Sequence, residues 1–402
     1  MLCFTACLGG FAGIVIWCFL RAVGLGSAFF WSFLPEKLTI PYLSVLICVA
    51  GGLLLGLTHR KHGVYPEELA VVMKKVKTEK YYEYRVLPAL LLGTFLPLVL
   101  GASVGPEAGL TGIIAALCYW VGDNVTYAKR HAAEYSLVGE AVTLGQLFHS
   151  PLFGILAVEE NGLEEDGEKT LLPKSSRLLY YGVSTAMSFL VISLMNRLFG
   201  AGMAGFPRFS EISISSADYL MMALYLPAGF LLYLWYVFGE KVSEKLASFI
   251  PGILREMMGG AVIGLCGLTV PLILFSGEEE MAELMDTFGE YAPCFLCGIG
   301  FLKILLTTFC IHSGWRGGHF FPLIFACTST AFGLAMLVFP DPGDHVVFAA
   351  GIVTAVTLGA QLRKPLAVSA LLLLCFPVRM LFWIFLAAVL GSRAVNIIRV
   401  ID

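Results

Sequence analysis

The 402-residue sequence has few charged residues: Asp, Glu, Lys and Arg make up 14% of it, against about 25% in soluble domains. Hydrophobic residues make up 58%. So little polar surface cannot cover a water-soluble body of this size, which indicates an integral helical membrane protein. The net charge of −3 is small, and we expect no nucleic-acid partner.

Several chemical motifs are also absent. The sequence contains no Walker A loop, no HExxH motif and no pair of CxxC motifs, so it indicates neither phosphate nor metal chemistry. The 11 cysteines are scattered through apolar segments, which argues against a disulfide framework. Cys294 and Cys297 form one CxxC, but zinc needs four ligands. We therefore expect no metal and no cofactor, and interpret these cysteines as small packed hydrophobes.

Apolar stretches recur along the whole chain, and several fall short of the roughly 20 residues that a full membrane span needs. The first stretch has no basic leading region and no clear cleavage site, so it predicts a membrane helix and not a removed signal. The stretches lie near 1–22, 39–58, 86–100, 109–121, 137–158, 178–200, 217–238, 259–275, 293–311, 320–339, 346–361 and 365–391.

The features of the chain occur in the same order on either side of a Gly/Ser-rich connection. We predict a first membrane half-repeat at 1–200, a linker at 201–216 and a second half-repeat at 217–402. Short, Gly/Pro-interrupted apolar segments in both halves are typical of inverted repeats with broken helices. The predicted fold class is thus an all-α polytopic membrane protein. A basic cluster at 59–62 indicates that this end of the first half faces the cytoplasm.

Two glycine-rich segments interrupt apolar helices, GASVGPEAGLTG at 101–112 and SGWRGGHFFP at 313–322. A membrane-spanning backbone can break only where it is buried in protein or lines a polar cavity. The helix that restarts after a break offers free amides and the positive end of its dipole. Two such starts predict an anion site near the bilayer midplane. Helix packing through small residues is the alternative explanation for the first segment.

The residues from Gly101 to Gly105 also match the nucleophile-elbow pattern G-x-S-x-G. That motif needs a strand before the serine, whereas a helix-length apolar run precedes Ser103. A serine hydrolase also needs a partnered histidine, and nothing in the sequence assigns one to Ser103. We therefore expect that the protein is not an enzyme.

Other polar residues near these segments leave two explanations open. His319 has a side chain that can titrate near neutral pH, or it is simply hydrogen-bonded. Arg316 either steers anions at a pore mouth or is a solvated interfacial charge. Glu159, Glu160 and Asn161 end an apolar helix, either on a proton or cation path or merely as its polar end.

Three segments together resemble one membrane family. Residues 318–322 (GHFFP) fit the pattern GxFxP, residues 148–160 (FHSPLFGILAVEE) resemble FNxPLAGxLFxxEE, and residues 363–366 (RKPL) resemble R-x-P-L. In this order they resemble the CLC family of chloride channels and proton-coupled chloride exchangers. The resemblance implies tilted and broken helices in two inverted halves, a homodimer in membrane lipid, and a small anion such as chloride as the transported ligand.

The gating segment departs from the family pattern G-[KR]-E-G-P. Aligning Gly105 and Pro106 with it puts Ser103 at the basic position and Val104 at the gating glutamate. Valine can neither bind a proton nor act as a charged plug. Glu107 lies about one helical turn further on, and we do not expect it to substitute. At the family's inner proton glutamate the chain has Asn161, with Glu160 beside it, and a one-residue shift would reverse that assignment.

The remaining pore motifs are incomplete. The family's GSGIP loop is met only by residues 62–66 (HGVYP), with Gly63 in place of the serine, and the late pore tyrosine has no match. No regulatory domain is expected after the membrane part. The resemblance therefore implies an anion site built mainly from backbone, and the residues it assigns are Gly63, Val64, Tyr65, Ser103, Val104, Gly105, Gly318, His319, Phe320 and Phe321.

Because Val104 takes the gate position, the sequence favours passive anion conduction without proton coupling, and the family resemblance implies chloride as the anion. The first alternative is a proton-coupled anion antiporter that uses Glu107 or Glu160. The second is a non-conducting relative. We expect a multi-pass protein of a bacterial inner membrane.

Overall fold

The structure is a computed structural model that describes residues 2–38, 40, 42–79, 81–125, 132–147, 150–160, 174–200 and 207–401. These residues are almost entirely helical and contain no β-strand. Their one isolated β-bridge joins Gly105 to Gly318. The predicted all-α fold class is confirmed.

Helices of very different length follow one another, with short π and 3₁₀ turns between some of them. In chain order the helices are α1 (Leu2–Ala28), α2 (Leu34–Lys37), α3 (Leu43–His62), α4 (Leu69–Lys74), α5 (Leu87–Val99), α6 (Glu107–Asn124), α7 (Ala132–Leu147), α8 (Pro151–Glu160), α9 (Lys174–Phe199), α10 (Ser216–Ser248), α11 (Ile253–Thr269), α12 (Glu278–Thr287), α13 (Pro293–His312), α14 (Phe320–Val338), α15 (His345–Leu362), α16 (Pro365–Cys375) and α17 (Leu381–Ile401).

Within the described residues, eight helical segments are long and apolar enough to cross a membrane, which confirms a multi-pass membrane protein. Helices α9 and α10 expose much of their apolar surface, for example at Leu190 and Leu220. Helices α14 and α15 are buried over most of their length. The chain therefore places α14 and α15 at the centre and turns α9 and α10 outward, where lipid can cover their leucines.

Both predicted helix breaks are present, and glycines make them possible. Helix α5 ends at Val99 and Gly101 follows with φ 83°, while α13 ends at His312 and Gly314 follows with φ 93°. This left-handed conformation carries little steric cost only for glycine. The side chain of Trp31 donates to the Val99 carbonyl at 3.1 Å, so a carbonyl freed by the first break stays hydrogen-bonded within the protein.

The two halves repeat the same local order of elements. In each, a helix (α5 or α13) leads through a glycine break into a second helix (α6 or α14). Later in each half a Pro-Leu opens a short helix, α8 or α16, and these two pack together with Ser150 Oγ donating to the Ala370 carbonyl at 3.0 Å. The division into half-repeats at 201–216 stays a prediction, and residues 201–206 lie outside the described residues.

Helices α3 and α11 pack closely because glycines line their contact. A Cβ at Gly260 on α11 would overlap the carbonyl of Cys48 on α3. Gly298 on α13 is also in a helix, but a Cβ there would meet nothing within 4 Å. The same glycine-to-alanine change should thus have opposite effects at the two positions.

We predict that Gly260→Ala lowers the melting temperature of the purified protein, because α3 and α11 must separate to admit the methyl group. Gly298→Ala is the matched control and should hold or raise it, since alanine favours a helix over glycine by about 1 kcal/mol. Thermal unfolding in detergent checks both. Equal melting temperatures for the two variants would contradict the packing of α3 on α11.

Candidate anion-binding site

The two glycine-rich breaks meet inside the protein. Gly105 and Gly318 form an antiparallel bridge in which each N–H donates to the other's carbonyl, at 2.7 Å in both directions. Both residues are buried. The structure thus brings together the two segments, 101–112 and 313–322, that the sequence placed in one site.

A helix begins directly after each arm of this bridge. Helix α14 begins at Phe320 with His319 as its N-cap, and α6 begins at Glu107 with Pro106 as its N-cap. The first amides of each helix have no partner within their own helix, so they are available to an acceptor.

A carboxylate from α6 already contacts the amides of α14. Glu107 Oε1 accepts a hydrogen bond from the Phe320 N–H at 2.9 Å, and the Phe321 amide lies beside the same group. The Glu107 side chain is fully buried. Its Oε2 has no hydrogen-bond partner among the described residues. Because helix N-termini attract anions, this carboxylate holds the place where a bound anion is expected on α14.

The bridge glycines leave room for this carboxylate. A Cβ at Gly318 would overlap the Glu107 carboxyl carbon and both its oxygens, and a Cβ at Gly105 would overlap Oε2. Neither glycine has a positive φ, so close approach is what requires them here. The site is therefore shaped around Glu107 by both halves of the chain.

Ser103 and Val104 lie in the same loop but point into packed protein. Val104 is fully buried against Gly317, where a Cβ would meet its side chain at 2.6 Å. The Ser103 hydroxyl is hydrogen-bonded to Thr307 Oγ1 at 2.9 Å. Neither residue lines the cavity described below.

A buried lysine that the sequence reasoning overlooked supports this loop. Lys303 Nζ donates to the carbonyls of Leu274 and Phe275 at 2.6 and 3.0 Å and lies 5.0 Å from the centre of the Phe325 ring. The Phe275 N–H in turn donates to the Gly101 carbonyl at 3.2 Å. The ammonium is thus engaged by carbonyls that hold the first break in position.

A cavity of about 530 Å³ extends from this site. Glu107 and residues 317–320 form one part of its wall. Apolar side chains such as Leu69, Leu144 and Ile311 form much of the rest, and the polar side chains among them are Glu68, Lys74, Tyr236, Glu240, Gln361 and Lys364. The cavity therefore joins the start of α14 to a vestibule of mixed polar and apolar lining.

The predicted loop at 63–65 lies elsewhere. Gly63 is the C-cap of α3 with φ 93°, and Tyr65 borders a smaller pocket together with Glu67 and Lys75. The cavity wall is instead built from the residues just after this loop, 68–70. A ligand role for Gly63, Val64 and Tyr65 stays a prediction.

Two polar residues of the cavity gave no motif in the sequence. Tyr236 lies in the middle of the long apolar helix α10, and its ring is 5.5 Å from the His319 ring. Gln361 is near the end of α15, with its Nε2 3.4 Å from His319 Nε2. Each is a single polar side chain in an apolar helix, a pattern that points to function only when its partner is known.

Two of the predicted proton-path residues, Glu160 and Asn161, follow each other in the sequence at the point where α8 ends. Asn161 lies outside the described residues, and Glu160 closes α8 with a side chain that the structure does not describe. Arg316 is half-buried and interacts electrostatically with Glu68 of the cavity wall.

The fold and this site define a polytopic helical membrane protein in which two broken helices begin face to face. A sequence model described as voltage gated chloride channel matches residues 47–396. This match covers most of the chain, and the chain belongs to the voltage-gated chloride channel, or CLC, family. The family resemblance stated from the motifs is confirmed.

Named relatives and solved structures agree with this assignment. An ion-transport protein YfeO of Salmonella choleraesuis is 25% identical over 332 residues, which cover 79% of this chain and 76% of the relative. A slow cyanobacterial Cl⁻/H⁺ antiporter superposes with a TM-score of 0.80 at 17% identity, covering 98% of this chain and 93% of its own. A CLC-type fluoride/proton antiporter gives 0.74 at 18% identity, covering 97% and 93%. At these identities the solved structures show a shared fold.

We predict that Gly318→Ala weakens chloride binding by at least about tenfold, because the methyl group fills the space between the two helix starts. Gly298→Ala is the control, since it is the same change in open surroundings. Isothermal titration of the purified variants with chloride measures both. Unchanged affinity in Gly318→Ala would show that the anion binds elsewhere.

Proposed function

We propose that this protein is a chloride transporter in which the anion and the Glu107 carboxylate compete for the amides at the start of α14. The observation that carries the proposal is the 2.9 Å hydrogen bond from the Phe320 N–H to a fully buried Glu107. The bridge between Gly105 and Gly318 supports it, because it holds the two helix starts together. In this proposal Glu107 acts as the gate, a role the sequence alignment gave to position 104.

Competition at one set of amides links anion binding to proton binding. An ionised Glu107 binds the Phe320 amide strongly, since a charged acceptor makes the stronger hydrogen bond. A protonated Glu107 is neutral and binds it less well, so chloride can take its place. Protonation of Glu107 thereby favours chloride binding, and bound chloride favours protonation by the same factor. This reciprocal effect is the thermodynamic basis of coupled transport. We therefore propose proton-coupled chloride exchange.

Backbone amides suit a transport site better than a fixed positive charge. Partial charges bind a small anion weakly enough for release, whereas a buried ammonium would retain it. The buried Lys303 is consistent with this, because its ammonium is bonded to two carbonyls of the 274–275 turn. The amides of Phe320 and Phe321 at the start of α14 are the proposed ligands. The N–H groups of Gly105 and Gly318 are bonded to each other's carbonyls, and that of Val104 donates to the Ala102 carbonyl.

The distribution of basic residues gives the proposed orientation. Lys74 and Lys364 line the cavity, and the basic segment 59–62 ends the helix that leads into its wall. Because short cytoplasmic segments are rich in Lys and Arg, we place the cavity mouth on the cytoplasmic side. A bacterial inner membrane and a homodimer, as in the family resemblance, complete the proposal.

Passive conduction is the second candidate. It rests on Val104, which stands at the gate position of the motif and is buried without an ionisable group. In that case the Glu107 carboxylate would be a permanent structural partner of α14. The two candidates differ in one measurable property, the movement of protons with chloride.

We predict that vesicles containing the purified wild-type protein take up protons when an outward chloride gradient is imposed, because an exchanger moves the two ions in opposite directions. Glu107→Gln should abolish proton movement and retain chloride flux, because its amide cannot titrate. Glu283→Gln, on the exposed surface of α12, is the control and should behave like the wild type. Chloride flux without proton movement in the wild type would refute exchange and favour passive conduction.

A further inference from the structure

The loop of the second break contains a fully buried tryptophan, and we propose that Trp315 positions the Phe320 amide for anion binding. Trp315 does not line the cavity, so it acts through the backbone that follows it and not by touching the anion. The inference rests on the proposed function, since it takes the start of α14 as the anion site. It adds a residue outside that site on which the anion affinity depends.

Hydrogen bonds from the side chain and from the backbone of Trp315 fix the loop in which it lies. Its Nε1 donates to the carbonyl of Glu256 on α11 at 2.8 Å. Its backbone N–H donates to the carbonyl of Cys310, in the last turn of α13, at 2.9 Å. Only two residues separate Trp315 from Gly318, which pairs with Gly105. A shift of the indole therefore reaches the bridge and the start of α14 through a short stretch of main chain.

Glycines of α3 and α11 form the slot that holds the indole. A Cβ at Gly259 on α11 would lie 2.7 Å from Trp315 Cδ1, and one at Gly260 would lie 3.0 Å from its Cζ2. On α3, a Cβ at Gly51 would lie 3.3 Å from Cη2 at the far edge of the ring. The ring is therefore enclosed by the backbones of both helices.

A buried polar cluster holds the acceptor of the indole N–H in place. The buried Glu256 side chain accepts from Arg255 Nη2 at 3.1 Å through Oε1, which also lies 3.3 Å from His59 Nδ1 on α3. The same carboxylate packs on the second break, since a Cβ at Gly314 would lie 2.9 Å from Oε1. Glu256 thus joins α3, α11 and the loop that follows α13 into one support.

The first break rests on the same two helices. Trp31, which donates to the Val99 carbonyl, has its ring against α11, where a Cβ at Gly267 would lie 3.0 Å from Cζ3. On α3, the Cys48 thiol donates to the Leu100 carbonyl at 3.4 Å. Because α3 and α11 hold both breaks, the two indoles determine how far apart the two helix starts lie.

Stability alone is the competing explanation, because a buried indole also contributes to folding. A residue that only stabilises the fold changes the melting temperature and leaves the chloride affinity of the folded protein as it was. A positioning residue changes that affinity, since an amide turned away from its acceptor makes a much weaker hydrogen bond. Melting temperature and chloride affinity, measured on the same purified protein, separate the two roles.

Trp315→Phe keeps an aromatic ring in the slot and removes the indole N–H. Isothermal titration with chloride, well below the melting temperature of the variant, should show an affinity at least about fivefold weaker than in the wild type. Trp235→Phe is the matched control, because Trp235 Nε1 also donates to a main-chain carbonyl of a neighbouring helix, that of Phe301 on α13 at 3.1 Å. That bond lies about three turns before α13 ends, so the control should keep the wild-type affinity whatever its melting temperature.

Glu256→Gln is a second test that keeps Trp315 and its slot. The neutral amide loses the charge-assisted hydrogen bond from Arg255, so the support loosens and chloride affinity should fall about threefold. Glu283→Gln, on the exposed surface of α12, is its control and should bind chloride like the wild type.

Wild-type chloride affinity in Trp315→Phe or, if that variant does not fold, in Glu256→Gln overturns the positioning role and leaves the proposed function standing. A wild-type protein that binds no chloride overturns the proposed function and this inference with it.

Discussion

The structure depends on the contact between the Glu107 carboxylate and the first amides of α14. It requires two helices to start in the same place, which the paired hydrogen bonds of Gly105 and Gly318 achieve. It also requires glycine at both bridge positions, since any side chain would enter the space of the carboxylate. In the proposed function, an anion that binds here displaces a group of the protein's own, and this competition links transport to protonation.

The rest of the fold buries that contact in packed helices, and a cavity reaches it. Helices α14 and α15 are buried in the centre, and Lys303 fixes the turn that holds the first break. The cavity reaches Glu107 from the side that carries Lys74 and Lys364.

Sequence alone predicted the breaks, the two helix starts and their meeting. Glycine and proline act locally, and free amides at membrane depth must be buried in protein or line a polar cavity. It placed the gate at Val104 by motif alignment and kept Glu107 as a candidate carboxylate only for the alternative of proton-coupled exchange. The reach of Glu107 to Phe320 depends on tertiary approach across the bridge, which no local pattern reveals. Tyr236 and Gln361 carry no sequence motif for the same reason, since only tertiary packing places them in the cavity wall.

The most direct test of the competition is the proton balance of chloride binding. Isothermal titration of the purified wild type with chloride, in buffers of different ionisation enthalpy and at several pH values, counts the protons taken up per bound anion. The account predicts uptake of up to about one proton per chloride, with tighter binding as the pH falls. Binding that takes up no protons at any pH would contradict it.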